Sequence, residues 1–91
     1  MILTAYTKAD KSMNGRGLTA SGVPVQEGVT IAAPPNIPFE SKIYIPALNR
    51  TYTVTDRGGA IRGDHLDLFM KSRETAMEFG KQRLEVVITG Q

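Results

Sequence analysis

The chain has no cysteine and only one histidine, His65. The first absence excludes a disulfide framework and any thiolate metal site. The second leaves only oxygen ligands for a metal cage, so neither a metal nor a cofactor is expected. No run approaches the roughly 20 apolar residues of a membrane-spanning helix. Lys and Arg outnumber Asp and Glu by only 11 to 9 and are scattered, which argues against a nucleic-acid footprint. A basic start followed by a long apolar stretch is also missing. Met1-Ile2-Leu3 runs straight into a strand pattern, so no signal peptide is expected here. Two readings follow: a protein acting where it is made, or a piece of a longer exported or phage protein with other domains.

Ninety-one residues make one domain, expected over 1–91, that buries about 60 to 65% of its unfolded surface. Apolar and β-branched runs recur at short intervals between Gly, Pro and Asn, the spacing of an all-β sandwich or barrel. Residues 2–7 read as the first strand and 8–17 as an aperiodic surface loop. A short apolar strand over 29–33 is stopped by Pro34-Pro35-Asn36-Ile37-Pro38, whose fixed φ angles suit a rigid corner. Over 41–45, Ile43 and Ile45 share one face and Lys42 and Tyr44 the other. A turn over 47–50 then leads into a strand over 51–56, giving a hairpin. In that strand Tyr52, Val54 and Asp56 share the more apolar face.

Ser72 is placed to cap a short helix ending at Phe79, with Glu74 in its first turn and Gly80 as its stop. Residues 83–89 alternate again and are expected to form the last strand, with Leu84, Val86 and Ile88 inward.

The stretch from Thr55 to Phe69 is the candidate site, because it packs Asp56, Asp64, Asp67, Gly58, Gly59, Gly63 and His65 into fifteen positions. Carboxylates around a glycine turn approach one another closely, and close carboxylates drive their pKa values apart, which supplies a proton donor at neutral pH. Asp67 stands between Leu66 and Leu68 in a strand pattern that disfavours an acid, so it is expected to be partly removed from water and protonated near neutrality. Asp56, before Arg57-Gly58-Gly59, fits either a turn residue or the neighbour that tunes Asp67. Asp64 after Gly63 reads as a turn residue. His65 reads as a hydrogen-bonding residue rather than a base. The glycines lack the lysine and βαβ context of a phosphate loop. In Thr19-Ala20-Ser21-Gly22 the two hydroxyls suit a buried carboxylate or a sugar, and Tyr6, Tyr44 and Tyr52 are either core or platforms for pyranose rings.

Taken in order, Thr4-Ala5-Tyr6-Thr7, Leu18-Thr19-Ala20-Ser21-Gly22, Ile31-Ala32, Ile37-Pro38, Ser41-Lys42-Ile43 and Asp56-Arg57-Gly58-Gly59-Ala60-Ile61-Arg62-Gly63 followed by Leu66-Asp67-Leu68 resemble the 3D, or three-aspartate, domain. That domain is similar to the catalytic barrel of the membrane-bound lytic transglycosylase A family and to stationary-phase proteins related to resuscitation-promoting factors. The resemblance implies a six-stranded double-psi β-barrel, an extracytoplasmic or cell-wall location, and cleavage of the β-1,4 bond between N-acetylmuramic acid and N-acetylglucosamine in peptidoglycan. By it, Asp67 is the catalytic acid and base, Asp56 its support, and Thr19 a hydroxyl lining the groove; Tyr6, Gly58, Gly59 and His65 are the further residues expected to bind substrate. One departure stands out: before the Ile-Pro turn, where relatives carry their first aspartate, this chain has Ala32-Ala33-Pro34-Pro35. A non-catalytic carbohydrate-binding barrel of the expansin kind is the alternative, and a structural or oligomerising β domain a third.

Overall fold

The computed structural model describes residues 1–7, 19–58, 61 and 63–90. The loop expected over 8–17 and Gly59 lie outside those residues. The described chain is mostly β with one short helix: β1 Ile2–Tyr6, β2 Thr30–Ala32, β3 Lys42–Ile45, β4 Arg50–Asp56, β5 His65–Phe69, α1 Arg73–Phe79, β6 Gln82–Arg83 and β7 Val87–Thr89. One sheet carries the strands in the order β6-β1-β5-β2-β4-β3-β7. Two parallel pairs, β1 with β5 and β2 with β4, are joined through the antiparallel pair of β2 with β5. Local hairpins cannot make such pairs, so long connections must bring distant segments side by side.

The strand number is seven rather than six, because the expected last strand is two. β6 pairs with β1 at one edge of the sheet and β7 with β3 at the other. Laid flat, seven strands would separate those edges by about 29 Å, whereas the three residues 84–86 between them bridge only about 14 Å even when extended. The sheet must therefore curl into a half-barrel. Leu84 and Val86 pack against the core at the crossing. Ile88, expected inward, is instead 43% exposed, because it lies on an edge strand with no further strand beyond it among the described residues.

Alternation fills the interior as expected elsewhere. Ile43 and Ile45 are fully buried between exposed Lys42 and Tyr44. They join Leu3, Ile31, Val54, Leu66 and Leu68 in the principal core, each such side chain contributing about 1.5 to 3 kcal/mol of burial. The hairpin between β3 and β4 turns through a 3-10 segment, Pro46–Leu48, ended by Asn49 in the left-handed region at φ 50°. The helix starts at its Ser72 cap, where Oγ accepts from Thr75 N at 3.3 Å, and it stops at Gly80 with φ 63°. The proline corner is tied by Ile37 N donating to Pro34 O at 3.0 Å.

The other face of β1, β2 and β5 carries a second, smaller cluster of Tyr6, Ala32, Ile61 and Phe69. A bulge decides what joins it. Ile31 stands opposite Val54 but Ala32 stands opposite Asp56, which leaves Thr55 as an extra residue in β4. Bulges re-aim the side chains that follow them. Tyr52 and Val54 stay in the principal core, whereas Asp56 leaves their row, contrary to the simple alternation, and reaches the Tyr6 side.

Candidate functional site

Backbone pairing aligns four residues across four strands. Thr4 pairs with Asp67, Asp67 with Ala32, and Ala32 with Asp56. The two carboxylates are eleven apart in sequence, and in the sheet they stand two strands apart, about 10 Å between backbones. Ala32 stands between them in the pairing. Both are buried, Asp56 at 4% exposure and Asp67 at 8%, and buried carboxylates require partners.

Asp56 accepts at both oxygens. Tyr6 Oη donates to Oδ2 at 2.6 Å, and the backbone amides of Ala20 and Arg57 both donate to Oδ1 at 2.9 Å. The Tyr6 ring is buried edge-on against Phe69, with centroids 5.6 Å apart at 67°. Burial first, then the hydrogen bond to Asp56 and the charges of Asp56 and Asp67, push its phenol far above the usual value of 10. Tyr6 is thus a neutral donor that feels both carboxylates. At 2% exposure its ring lies in the core beneath Asp56.

Asp67 is reached from β1. Thr4 Oγ1 donates to Asp67 Oδ1 at 2.8 Å and lies 2.8 Å from His65 Nε2. Its 3.5 Å approach to Leu66 O is too long to compete for the proton. A hydroxyl has one proton, so with that proton on Asp67 the Thr4 oxygen accepts from a protonated Nε2. His65, half-buried in β5, therefore stands behind Asp67 in a relay through Thr4.

Thr19 is buried, its hydroxyl 3.1 Å from Ser21 Oγ. The turn it opens docks on the end of β4, Ser21 N donating to Thr55 O at 3.1 Å. The amide of Ala20, rather than the neighbouring hydroxyls, meets the carboxylate. Gly58, half-buried, accepts from Ile61 N at 3.0 Å, and Asp64 is exposed in the turn after Ile61, its carbonyl accepting from Ile2 N at 2.8 Å. Asp64 lies outside the paired row. Among the described residues, no three His, Asp or Glu side chains converge to hold a metal.

Three contributors escape a reading of the motif alone. Thr4 and the Ala20 amide come from segments far upstream. Arg57 lies inside the motif, yet its partners are remote: Nη2 donates to Ile37 O at 2.7 Å and Nη1 to Ala33 O at 3.3 Å, while Cζ sits 4.2 Å above the Phe39 ring. It fastens the proline corner to the end of β4.

The chain is 35% identical over 89 residues to the "Cell wall-binding protein YocH" of Bacillus subtilis (strain 168), covering 93% of this chain and 30% of that protein. It is 30% identical over 89 residues to the "Putative cell wall shaping protein YabE" of the same organism, covering 93% and 21%. It thus spans less than a third of either relative. A family model described as "3D domain" matches residues 29–90. That span contains β2, β4 and β5, the strands that set Ala32 between Asp56 and Asp67, and with it the chain belongs to the 3D domain family.

Proposed function

We propose that the chain is a peptidoglycan-acting module of an extracytoplasmic or phage protein, a lytic transglycosylase with Asp67 as its general acid and base. The observation that carries this reading is the pairing of Asp67 and Asp56 with the same alanine, both carboxyls buried. Removal from water and a carboxylate two strands away both penalise the Asp67 anion, so it holds a proton for donation. Asp56, fixed by three donors, is the neighbour that does not move.

Asp67 gives its proton to the glycosidic oxygen as the bond from that oxygen to the muramic anomeric carbon breaks. Its carboxylate then takes the proton of the C6 hydroxyl while O6 bonds to the same carbon. The products are a 1,6-anhydro sugar and a free 4-hydroxyl, and Asp67 is protonated again. No water enters, so a single well-held acid replaces the two carboxylates of an ordinary glycosidase. Similarity to a protein named for cell-wall binding supports the choice of polymer.

Digestion of purified sacculi, read by mass spectrometry, tests the proposal. Anhydro-muropeptides released by the chain and lost in Asp67→Asn are expected; equal release by the variant overturns it.

A second reading, a wall-binding barrel without catalysis, is favoured by Ala32-Ala33-Pro34-Pro35, which carries no carboxyl where the three-aspartate pattern leads one to look for its first. It predicts sedimentation with sacculi, unaltered by Asp67→Asn and without products.

A further inference from the structure

Thr4 Oγ1 stands 2.8 Å from Asp67 Oδ1 and 2.8 Å from His65 Nε2. One hydroxyl thus joins two titratable groups that are no further apart than twice that distance. Register makes the arrangement. Thr4 pairs with Asp67 and Ile2 with His65 across the parallel strands β1 and β5, and residues two apart along a strand share a face. The cleavage proposed above uses Asp67 alone and gives His65 no part.

A hydroxyl gives its one proton to one partner while its oxygen accepts from another, so the bridge runs in one of two directions. With Asp67 ionised, Thr4 donates to the carboxylate and Nε2 donates to Thr4. With Asp67 protonated at Oδ1, the carboxyl donates to Thr4, and Thr4 turns its own proton to an Nε2 left bare by a ring proton on Nδ1. Passage from the second arrangement toward the first needs no other reactant. The Asp67 O–H bond breaks as a new O–H bond forms at Thr4, and the former Thr4 O–H bond breaks as its proton forms an N–H bond at Nε2. A neutral acid and a neutral imidazole become a carboxylate and an imidazolium. Thr4 keeps one proton throughout.

Burial distinguishes the two ends. Asp67 is 8% exposed, whereas His65 is half-buried at the start of β5, beside exposed Asp64. The ring is the end of the bridge nearer to water. Other charges stand around the pair rather than within it. Exposed Arg83 of β6 lies across Ile2 from His65, and Asp56 with Tyr6 lies beyond Asp67. Helix α1 packs on β1 with Phe79 against the core that holds Leu3, the face of β1 opposite Thr4, and its Arg73, Glu74 and Glu78 are exposed.

We propose that Asp67 and His65 share one proton through the Thr4 hydroxyl, with His65 as the positioning residue that loads and unloads the buried acid. The use of that proton in cleavage rests on the function proposed above; the sharing itself does not.

The test is an NMR titration of the isotope-labelled chain, following the Asp67 carboxyl carbon and the His65 ring nitrogens together. Groups that share a proton titrate as a pair, so both signals are expected to show the same two steps. Above the second step the neutral ring is expected to carry its proton on Nε2, facing the Thr4 oxygen. His65→Gln keeps a polar group beside Thr4 but takes up no proton. It should leave a single Asp67 step, moved to higher pH because no imidazolium favours the carboxylate. Thr4→Val should bring the two steps together and remove the preference for Nε2, and Thr4→Ser should restore both. Independent single steps in the unmodified chain, or steps as widely spaced in Thr4→Val, would overturn the proposal. Paired titration in a chain that leaves sacculi uncut would keep the shared proton and remove the catalytic reading alone. Cleavage lost in Asp67→Asn, without paired titration, would do the reverse.

Discussion

The Tyr6 hydroxyl donates to Asp56 Oδ2 at 2.6 Å across fifty positions of the sequence. With the amides of Ala20 and Arg57 on the other oxygen, it fixes a carboxylate in the floor of the candidate site. Tyr6→Phe keeps the ring packed on Phe69 and removes one donor, leaving Asp56 short of a buried partner. The expected cost is about 1 to 3 kcal/mol, read as a lower midpoint in urea, and a fall in sacculus cleavage with the fold intact.

Thr4 links His65 to Asp67. A donor to a carboxylate favours its ionised form, so Thr4→Val raises the titration of Asp67. If Asp67 works as an acid, the alkaline limb of the pH profile of cleavage moves to higher pH in Thr4→Val and returns in Thr4→Ser. An unmoved limb would remove Thr4 from the control of Asp67.

The bulge residue Thr55 has a buried Oγ1 with no hydrogen-bond partner among the described residues. An unsatisfied buried hydroxyl costs about 1 to 3 kcal/mol. The nearly isosteric Thr55→Val is therefore expected to stabilise the chain by about 1 kcal/mol, seen as a rise in Tm.

Tyr6 and Tyr52 both titrate above the usual 10 when folded. Above about pH 10 the unfolded chain loses phenolic protons that the folded chain keeps. Fewer protons in the unfolded state mean that stability is fully present below that pH and falls as pH rises beyond it. Urea unfolding at pH 8, 10 and 11 should show the decline, and Tyr6→Phe should flatten it.

What the sequence makes legible is whatever short periods control. Ile43 and Ile45 alternate with polar neighbours and are buried, and the Ser72 cap and Gly80 stop bound α1, because a cap depends on residues within one turn. The acids were visible for a similar reason, since Asp67 between two leucines contradicts its surroundings. The direction of Asp56 was not legible, because the bulge at Thr55 is a matter of register between β4 and β2, which no residue of β4 announces. Thr4 and Tyr6 reach the site only through the parallel pairing of β1 with β5. The final strand was misread as one because Leu84 and Val86 continue the alternation of buried residues while the backbone crosses between sheet edges.

Protonation of a glycosidic oxygen at neutral pH requires Asp67 to carry a proton there. Titration of the Asp67 side-chain carboxyl by carbon NMR in the intact chain tests this most directly, with Asp64 as the exposed reference in the same spectra. The expected midpoint is raised well above the usual carboxylate range toward neutrality, and lowered in Asp56→Asn, where the neighbouring charge is gone. A midpoint at or below that of Asp64 would leave no acid to protonate a glycosidic oxygen and would contradict the proposed reaction.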